Sequence, residues 1–194
     1  SNISSVTNIG NLVLALLISI WAVRLGSFLF LRIHKAGEDK RFRKIKPSAS
    51  QFFMTWTLQG LWVSLCSMCA LTAISSEVGV VTGIIFYIGV ILFLIGFLIE
   101  VIADNQKSKF RSLEKNKDSF ITTGLWARSR HPNYFGEIIE WIGWAIMTWS
   151  LSGFVFALWT TFNLLPRALK HHSWYKDKFD NYSKDRKAII PKIL

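Results

Sequence analysis

Charge is missing from long stretches of this chain. Residues 47–76, 78–99 and 141–166 hold 30, 22 and 26 positions without a single Asp, Glu, Lys or Arg. Residues 9–31 form another apolar run, interrupted only by Arg24. A helix needs about 20 apolar residues to cross a hydrocarbon core of roughly 30 Å. Residues 131–166 would extend about 54 Å as one helix, too far for one crossing. They read instead as a hairpin of two helices turning at Ser150-Leu151-Ser152-Gly153. The pattern therefore predicts an all-α polytopic membrane bundle, a single membrane domain over 1–194. Five crossings are expected, at about 9–31, 51–74, 78–101, 133–150 and 153–169, with loops at 32–50 and 102–132 and a C-terminal segment at 170–194.

Composition narrows the alternatives. The chain is 51% hydrophobic, with fifteen Phe and nine Trp, and still carries a formal charge of +11. That apolar content excludes disorder, and two Cys exclude a disulfide scaffold. A basic nucleic-acid module has no need of uncharged runs this long, so no nucleic-acid partner is expected. Of the 23 basic residues, 22 fall within 32–46, 107–130 and 167–192. The connections Ser75-Ser76-Glu77 and Ser150 to Gly153 contain none. Five crossings place all three basic segments on one face, which the positive-inside rule makes cytoplasmic, together with the C-terminus. The setting expected is the inner membrane of a bacterium or the endoplasmic reticulum of a eukaryote. The first residue is Ser1 rather than Met, so residues upstream are expected.

Few motifs offer chemistry. Cys66 and Cys69 form a CxxC inside an uncharged crossing, with no neighbouring Cys or His, and read as packing residues rather than a metal or redox site. Neither GxGxxG nor GxxxxGK[ST] occurs. What stands out are ionisable groups where a membrane makes them costly. Arg24 lies within the first crossing, Glu100 and Asp104 close the third, and Glu137 and Glu140 open the fourth behind Arg128, Arg130, His131 and Asn133. Asn133 and Glu137 are one helical turn apart and share a face. The segment 170–192 mixes charges with Trp174, Tyr175, Phe179 and Tyr182, and by itself reads as an amphipathic helix lying on anionic headgroups.

The order of these residues resembles a family. Gly124-Leu125-Trp126-Ala127-Arg128-Ser129-Arg130-His131-Pro132-Asn133-Tyr134-Phe135-Gly136-Glu137, continuing IIEWIG to Gly143, is similar to the central motif of the steroid 5-alpha-reductase family. Its RHPNY form is similar to that family's bacterial branch. Leu164-Leu165-Pro166-Arg167-Ala168-Leu169-Lys170-His171-His172, then Trp174-Tyr175 and YSKDRKAIIP from Tyr182 to Pro191, resembles the family's C-terminus. The IADNQK block from Ile102, Phe110-Arg111, Trp21-Ala22-Val23-Arg24-Leu25-Gly26 and Gly37-Glu38-Asp39 fit as well.

The resemblance implies a seven-helix membrane reductase that uses NADPH to saturate a carbon–carbon double bond conjugated to a carbonyl in a steroid-like lipid. The family's first two helices would precede this chain. Carried over by position, Asp104 and Arg111 would meet the adenosine end and its phosphates. Asn133 and Glu137 would hold the nicotinamide side, with Trp141 near the ring. Arg167, His171, Tyr175 and Arg186 would complete the cofactor cage, and Glu137 and Tyr134 are the catalytic candidates. Trp21 stands where the family has a Tyr, and the family's Arg is absent around Ser119-Phe120, leaving Tyr87, Tyr134 or a residue outside the chain as carbonyl donor. Two other readings remain. RHPxY is shared with isoprenylcysteine-type methyltransferases that use S-adenosylmethionine, although this chain has His171-His172 where those enzymes carry paired acids. A non-enzymatic lipid-binding protein fits the composition equally.

Overall fold

The computed structural model describes residues 8–38, 42–75, 79–116, 118–183, 186–190 and 193. Asp39, Ser76, Glu77, Val78, Lys184, Asp185, Pro191 and Lys192 lie outside that set, as do the side chains of Cys66 and Cys69. Five long helices follow one another: α1 (Ile9–Ala36), α2 (Ala49–Ser75), α3 (Ile84–Arg111), α4 (Pro132–Thr148) and α5 (Leu151–Lys178). Short 3-10 turns at Glu114–Asn116 and Gly124–Ala127 lie between α3 and α4. The helices group into two units, Ser1–Thr82 and Gly83–Leu194.

In the first unit, Asn8 caps α1 by accepting from the Asn11 amide at 3.2 Å. The Asn11 side chain donates to the Ile74 carbonyl at 3.1 Å and accepts from the Val80 amide at 2.8 Å, tying the start of α1 to the end of α2. Arg24 is half-buried, with its guanidinium 5.3 Å from the Phe28 ring centroid. Large apolar side chains such as Phe30, Phe53 and Trp56 are exposed. An apolar surface of this extent is what a helix presents to lipid rather than to water. Among the described residues, α1 and α3 are long and apolar enough to cross a membrane.

The second unit holds the core. α3 and α4 run side by side at a spacing set by glycines. A Cβ built on Gly96 would lie 2.6 Å from the Gly136 carbonyl oxygen, and one on Gly143 would lie 2.6 Å from the Phe93 amide. Gly89 and Gly96 on α3, and Gly136 and Gly143 on α4, each repeat after seven residues, two turns along one face. Phe93 and Trp144 fill the seam, edge to face at 4.8 Å.

Several boundaries differ from expectation. α3 begins at Ile84 rather than 78, because Gly79 takes a left-handed φ of 68° and Gly83 an extended conformation as its cap. The hairpin turns at Trp149-Ser150, earlier than the Ser150 to Gly153 stretch: Trp149 is left-handed at φ 43°, and Ser150 caps α5 by accepting from the Gly153 amide at 3.1 Å. α5 does not stop near 169. It runs through Pro166, giving up one backbone hydrogen bond, as far as Lys178. The segment 170–194 is thus not a separate surface helix. Its first nine residues extend α5, and residues 186–190 fold back over α4 and α5, where Ala188 and Ile189 are buried with Ala168 against Tyr134 and Ile138.

Ahead of α4, the loop docks through Trp126, which is fully buried and donates its indole N–H to the Ala103 carbonyl at 2.9 Å. Gly124, at φ 62°, faces the Gln106 side chain, which accepts from the Leu125 amide at 3.0 Å. Trp126→Phe is expected to lower stability by about 1–3 kcal/mol through the lost bond and indole volume. Urea titration in mild detergent would measure it.

Candidate functional site

Because α5 continues through Pro166, Arg167, His171 and Tyr175 repeat every four residues and line one stripe. Glu100 and Asp104 share the same spacing on α3, and Asn133 and Glu137 share it on α4. The three stripes meet and form layers.

The innermost layer is acidic. Glu137 interacts with Glu100, Asp104 and Arg167, while Glu140 is buried one turn deeper on α4. Asn133 places Oδ1 in a buried position with no hydrogen-bond partner among the described residues. Tyr134 joins this layer to the next, interacting with Arg167 and stacking on the His131 ring at 4.5 Å. His131 in turn lies 5.4 Å from His171. Beyond it, about 12 Å along α5 from Arg167 to Tyr175, comes a layer of cations and aromatic rings. The Arg130 guanidinium sits 3.5 Å from the Tyr175 ring centroid. Arg186 donates to the Ile121 carbonyl at 3.1 Å and lies over Phe120 and Tyr182. His172 Nδ1 is 3.0 Å from the Tyr182 hydroxyl.

The returning tail closes this outer layer. Ser129 and Lys187 form a parallel bridge, the Arg130 amide donates to the Lys187 carbonyl at 2.9 Å, and the His131 amide donates to the Ala188 carbonyl at 3.0 Å. These bonds satisfy amides just ahead of α4, whose Pro132 has none to offer.

Burial sets the charge states here. His131 is 4% exposed. Desolvation, reinforced by Arg130, Lys107, His171 and His172, pushes its imidazole down to about 2. His171 and His172 are also lowered, first by desolvation and then by surrounding cations. Burial raises the Tyr182 phenol against the opposing pull of Arg130 and Arg186. His131 thus stays neutral in the folded chain while an unfolded imidazole takes a proton below about 6.5. The stability present above pH 6.5 is therefore lost below it, at about 1.4 kcal/mol per pH unit until roughly pH 2. His131→Phe, which keeps the ring stack on Tyr134, is expected to flatten this acid limb by one proton in unfolding curves recorded from pH 7 to pH 5.

The expected residues do not all converge. Glu137, Asp104, Arg167, Tyr134 and Asn133 gather in the inner layers, and His171, Tyr175 and Arg186 in the outer ones. Trp141 is buried against Phe156 at 4.3 Å. Arg111 is exposed at the end of α3, donating to the Asn116 carbonyl at 3.3 Å. Tyr87 does not join the cluster: it is exposed near the opposite end of α3, about 25 Å from Asp104 at 1.5 Å per residue. Arg130 and His131 were named in the sequence but given no role; their signal was position, immediately before a proline that starts a helix. Among the described residues no group of three His, Cys, Asp or Glu could hold a metal.

The family model described as "Protein of unknown function (DUF1295)" matches residues 2–168. The chain belongs to this family. Curated relatives connect it to steroid 5-alpha-reductases. It is 45% identical over 109 residues to "Steroid 5-alpha-reductase DET2" of Gossypium hirsutum, a match covering 56% of this chain and 42% of the relative. It is 41% identical over 109 residues to "3-oxo-5-alpha-steroid 4-dehydrogenase 1" of Rattus norvegicus, with the same coverage. The protein of that name from Homo sapiens is 42% identical over 106 residues, covering 55% of this chain and 41% of the relative. The match thus spans about two fifths of the length of these relatives.

Proposed function

We propose that this DUF1295 member is an NADPH-dependent membrane reductase, saturating a carbon–carbon double bond conjugated to a carbonyl in a steroid-like or other lipid. The observation that carries the reading is the layering: carboxylates and an amide at depth, guanidinium groups and aromatic rings at the outer end. A dinucleotide is polarised in the same sense, with a neutral amide-bearing ring at one end and phosphates toward the other. The names of the relatives supply the reaction class.

The residues fit the cofactor. Asn133 Oδ1, buried and without a partner among the described residues, would accept from one N–H of the carboxamide, and Glu137 one turn away would accept from the other. Arg167, His171, Tyr175 and Arg186 would hold the phosphate-bearing end, where guanidinium geometry matches phosphate oxygens. Arg111, two turns along α3 from Asp104 of the inner layer, would extend the site toward the adenosine, and Trp141 would back the ring from within the helix pair. NADPH, when bound, supplies the hydride. The chain's own part is to bind, to orient, to exclude water and to place a donor at the substrate carbonyl as charge develops there. Tyr134 is the phenol held in the cluster, between His131 and Arg167, and we assign it that donor role, with Glu137 as its acidic neighbour.

In this reading all five helices cross the membrane, in one domain with the surrounding lipid. The basic segments and the C-terminus lie on the cytoplasmic side, where soluble cofactor is available. Binding decides between cofactors. The purified protein is expected to bind NADPH and to be displaced from it by NADP+, not by S-adenosylmethionine. Saturable S-adenosylmethionine binding with none for NADPH would make the protein a methyltransferase instead.

A further inference from the structure

Arg130 is the most deeply buried cation described, at 3% exposure, and Arg186 follows at 8%. Neither guanidinium has its hydrogen-bonding capacity filled. Arg130 Nε and Nη1 and Arg186 Nε are buried without a hydrogen-bond partner among the described residues. Among the described residues, the groups acting most strongly on Arg130 are Tyr175, Tyr182 and Arg186 itself, and none of these is a carboxylate. Burial of like charges side by side is unfavourable unless something opposes it.

What holds the pair is an aromatic cage. Phe120, Tyr175 and Tyr182 pack on one another at 5.2 to 6.2 Å. Arg130 lies against Tyr175, with Trp126 at 5.7 Å on another side, and Arg186 lies against Phe120 and Tyr182. Ring faces offset part of the cost of desolvating a cation, and Tyr175 and Tyr182 interact with Arg130 and Arg186 through their hydroxyls without filling either guanidinium. The backbone is fixed independently: the amides of Arg130 and His131 are both taken by the tail. The guanidinium groups are thus oriented before any ligand arrives, with Arg130 Nε and Nη1 and Arg186 Nε left open among the described residues. Two adjacent cations with open planar donors match an anion of at least two charges and several oxygens, which one carboxylate is not.

We propose that Arg130 and Arg186 form a paired diphosphate site within this cage, with Arg130 as a principal ligand of the dinucleotide's diphosphate. This deepens the cofactor reading and rests on it.

Binding of inorganic pyrophosphate and of NADPH would be measured for the protein in phosphatidylcholine nanodiscs, with and without phosphatidylglycerol. Arg130→Gln and Arg186→Gln are each expected to weaken both ligands roughly tenfold or more, the scale of a lost charge-assisted bond. Arg130→Lys keeps the charge without the planar fork and should recover only part of the affinity. Ligand-free thermal unfolding separates this role from a structural one. An arginine kept for its ligand leaves a fold at least as stable when replaced by Gln, whereas one needed for packing leaves it weaker. NADPH affinity unchanged in Arg130→Gln, in a protein that binds NADPH, would overturn the assignment and leave the reductase reading standing. Pyrophosphate binding that depends on Arg130 in a protein with no affinity for NADPH would keep the anion site and overturn the cofactor reading. An Arg130-dependent preference for phosphatidylglycerol, with neither soluble ligand bound, would make the site a lipid-headgroup site and overturn the dinucleotide assignment.

Discussion

Gly136→Val is expected to separate α3 from α4 and remove cofactor binding with it. The first atom of any side chain at Gly136 would sit 2.7 Å from the Gly96 carbonyl oxygen and 2.8 Å from the Glu100 amide. Both are backbone atoms inside a helix, so no rotamer change relieves the clash; the helices must part. Overpacking at such a seam costs about 1–3 kcal/mol where side chains can give way, and more where only backbone can move. The consequence reaches the site because Glu100 and Glu137 flank this contact, each next to a residue of the glycine seam or one turn from it. Gly96→Ala, whose Cβ would lie 2.6 Å from the Glu140 amide, should fail in the same way. Gly26→Ala, on an α1 position with open space around it, is the control and should fold normally. Detergent-resistant folding and NADPH titration of the three variants measure the effect. A Gly136→Val protein as stable as the parent would mean that the α3–α4 approach is not as close as described.

The second large effect concerns Asn133 and Glu137. Asn133→Ala removes a buried acceptor that has no hydrogen-bond partner among the described residues, so NADPH affinity should fall roughly tenfold with little change in folding. Glu137→Gln keeps shape and hydrogen-bonding capacity while removing a charge that interacts with Glu100, Asp104 and Arg167. Less like-charge repulsion should leave the fold intact or firmer. If Glu137 supports proton delivery at the carbonyl, kcat should fall about a hundredfold, the scale of general acid–base assistance. The split is the informative part: Asn133→Ala should act mainly on NADPH affinity and Glu137→Gln mainly on kcat. Both variants retaining full cofactor affinity and turnover would remove the inner layer from the site.

Most of the helical framework is legible from charge alone, because an uncharged run of some twenty residues has few fates besides an apolar helix. The limits of α3 and α5 are not. Gly79 and Gly83 delay the start of α3 within a run whose hydropathy never changes, and α5 continues beyond 169, where the apolar run has given way to charge, as far as Lys178. That continuation puts Arg167, His171 and Tyr175 on a single stripe, which a break near 169 would have scattered. The seam glycines stand seven residues apart within each helix, and only the facing of one pair against the other gives that spacing meaning. Arg130 was hidden for a different reason. In sequence it is one of seven basic residues between 107 and 130, indistinguishable from charge that marks a membrane face. Burial and the tail's hydrogen bonds single it out, and both depend on contacts about sixty residues away.

Reduction of a lipid enone by NADPH is the reaction proposed for this protein. Incubation of the purified protein in nanodiscs with an enone steroid and NADPH carrying deuterium at the transferable position tests it most directly. The expected product is a saturated ketone carrying that deuterium on the carbon β to the carbonyl, formed together with NADP+. Unchanged enone and NADPH across a panel of enone lipids, with label moving from methyl-labelled S-adenosylmethionine to a lipid or prenylated acceptor instead, would contradict it.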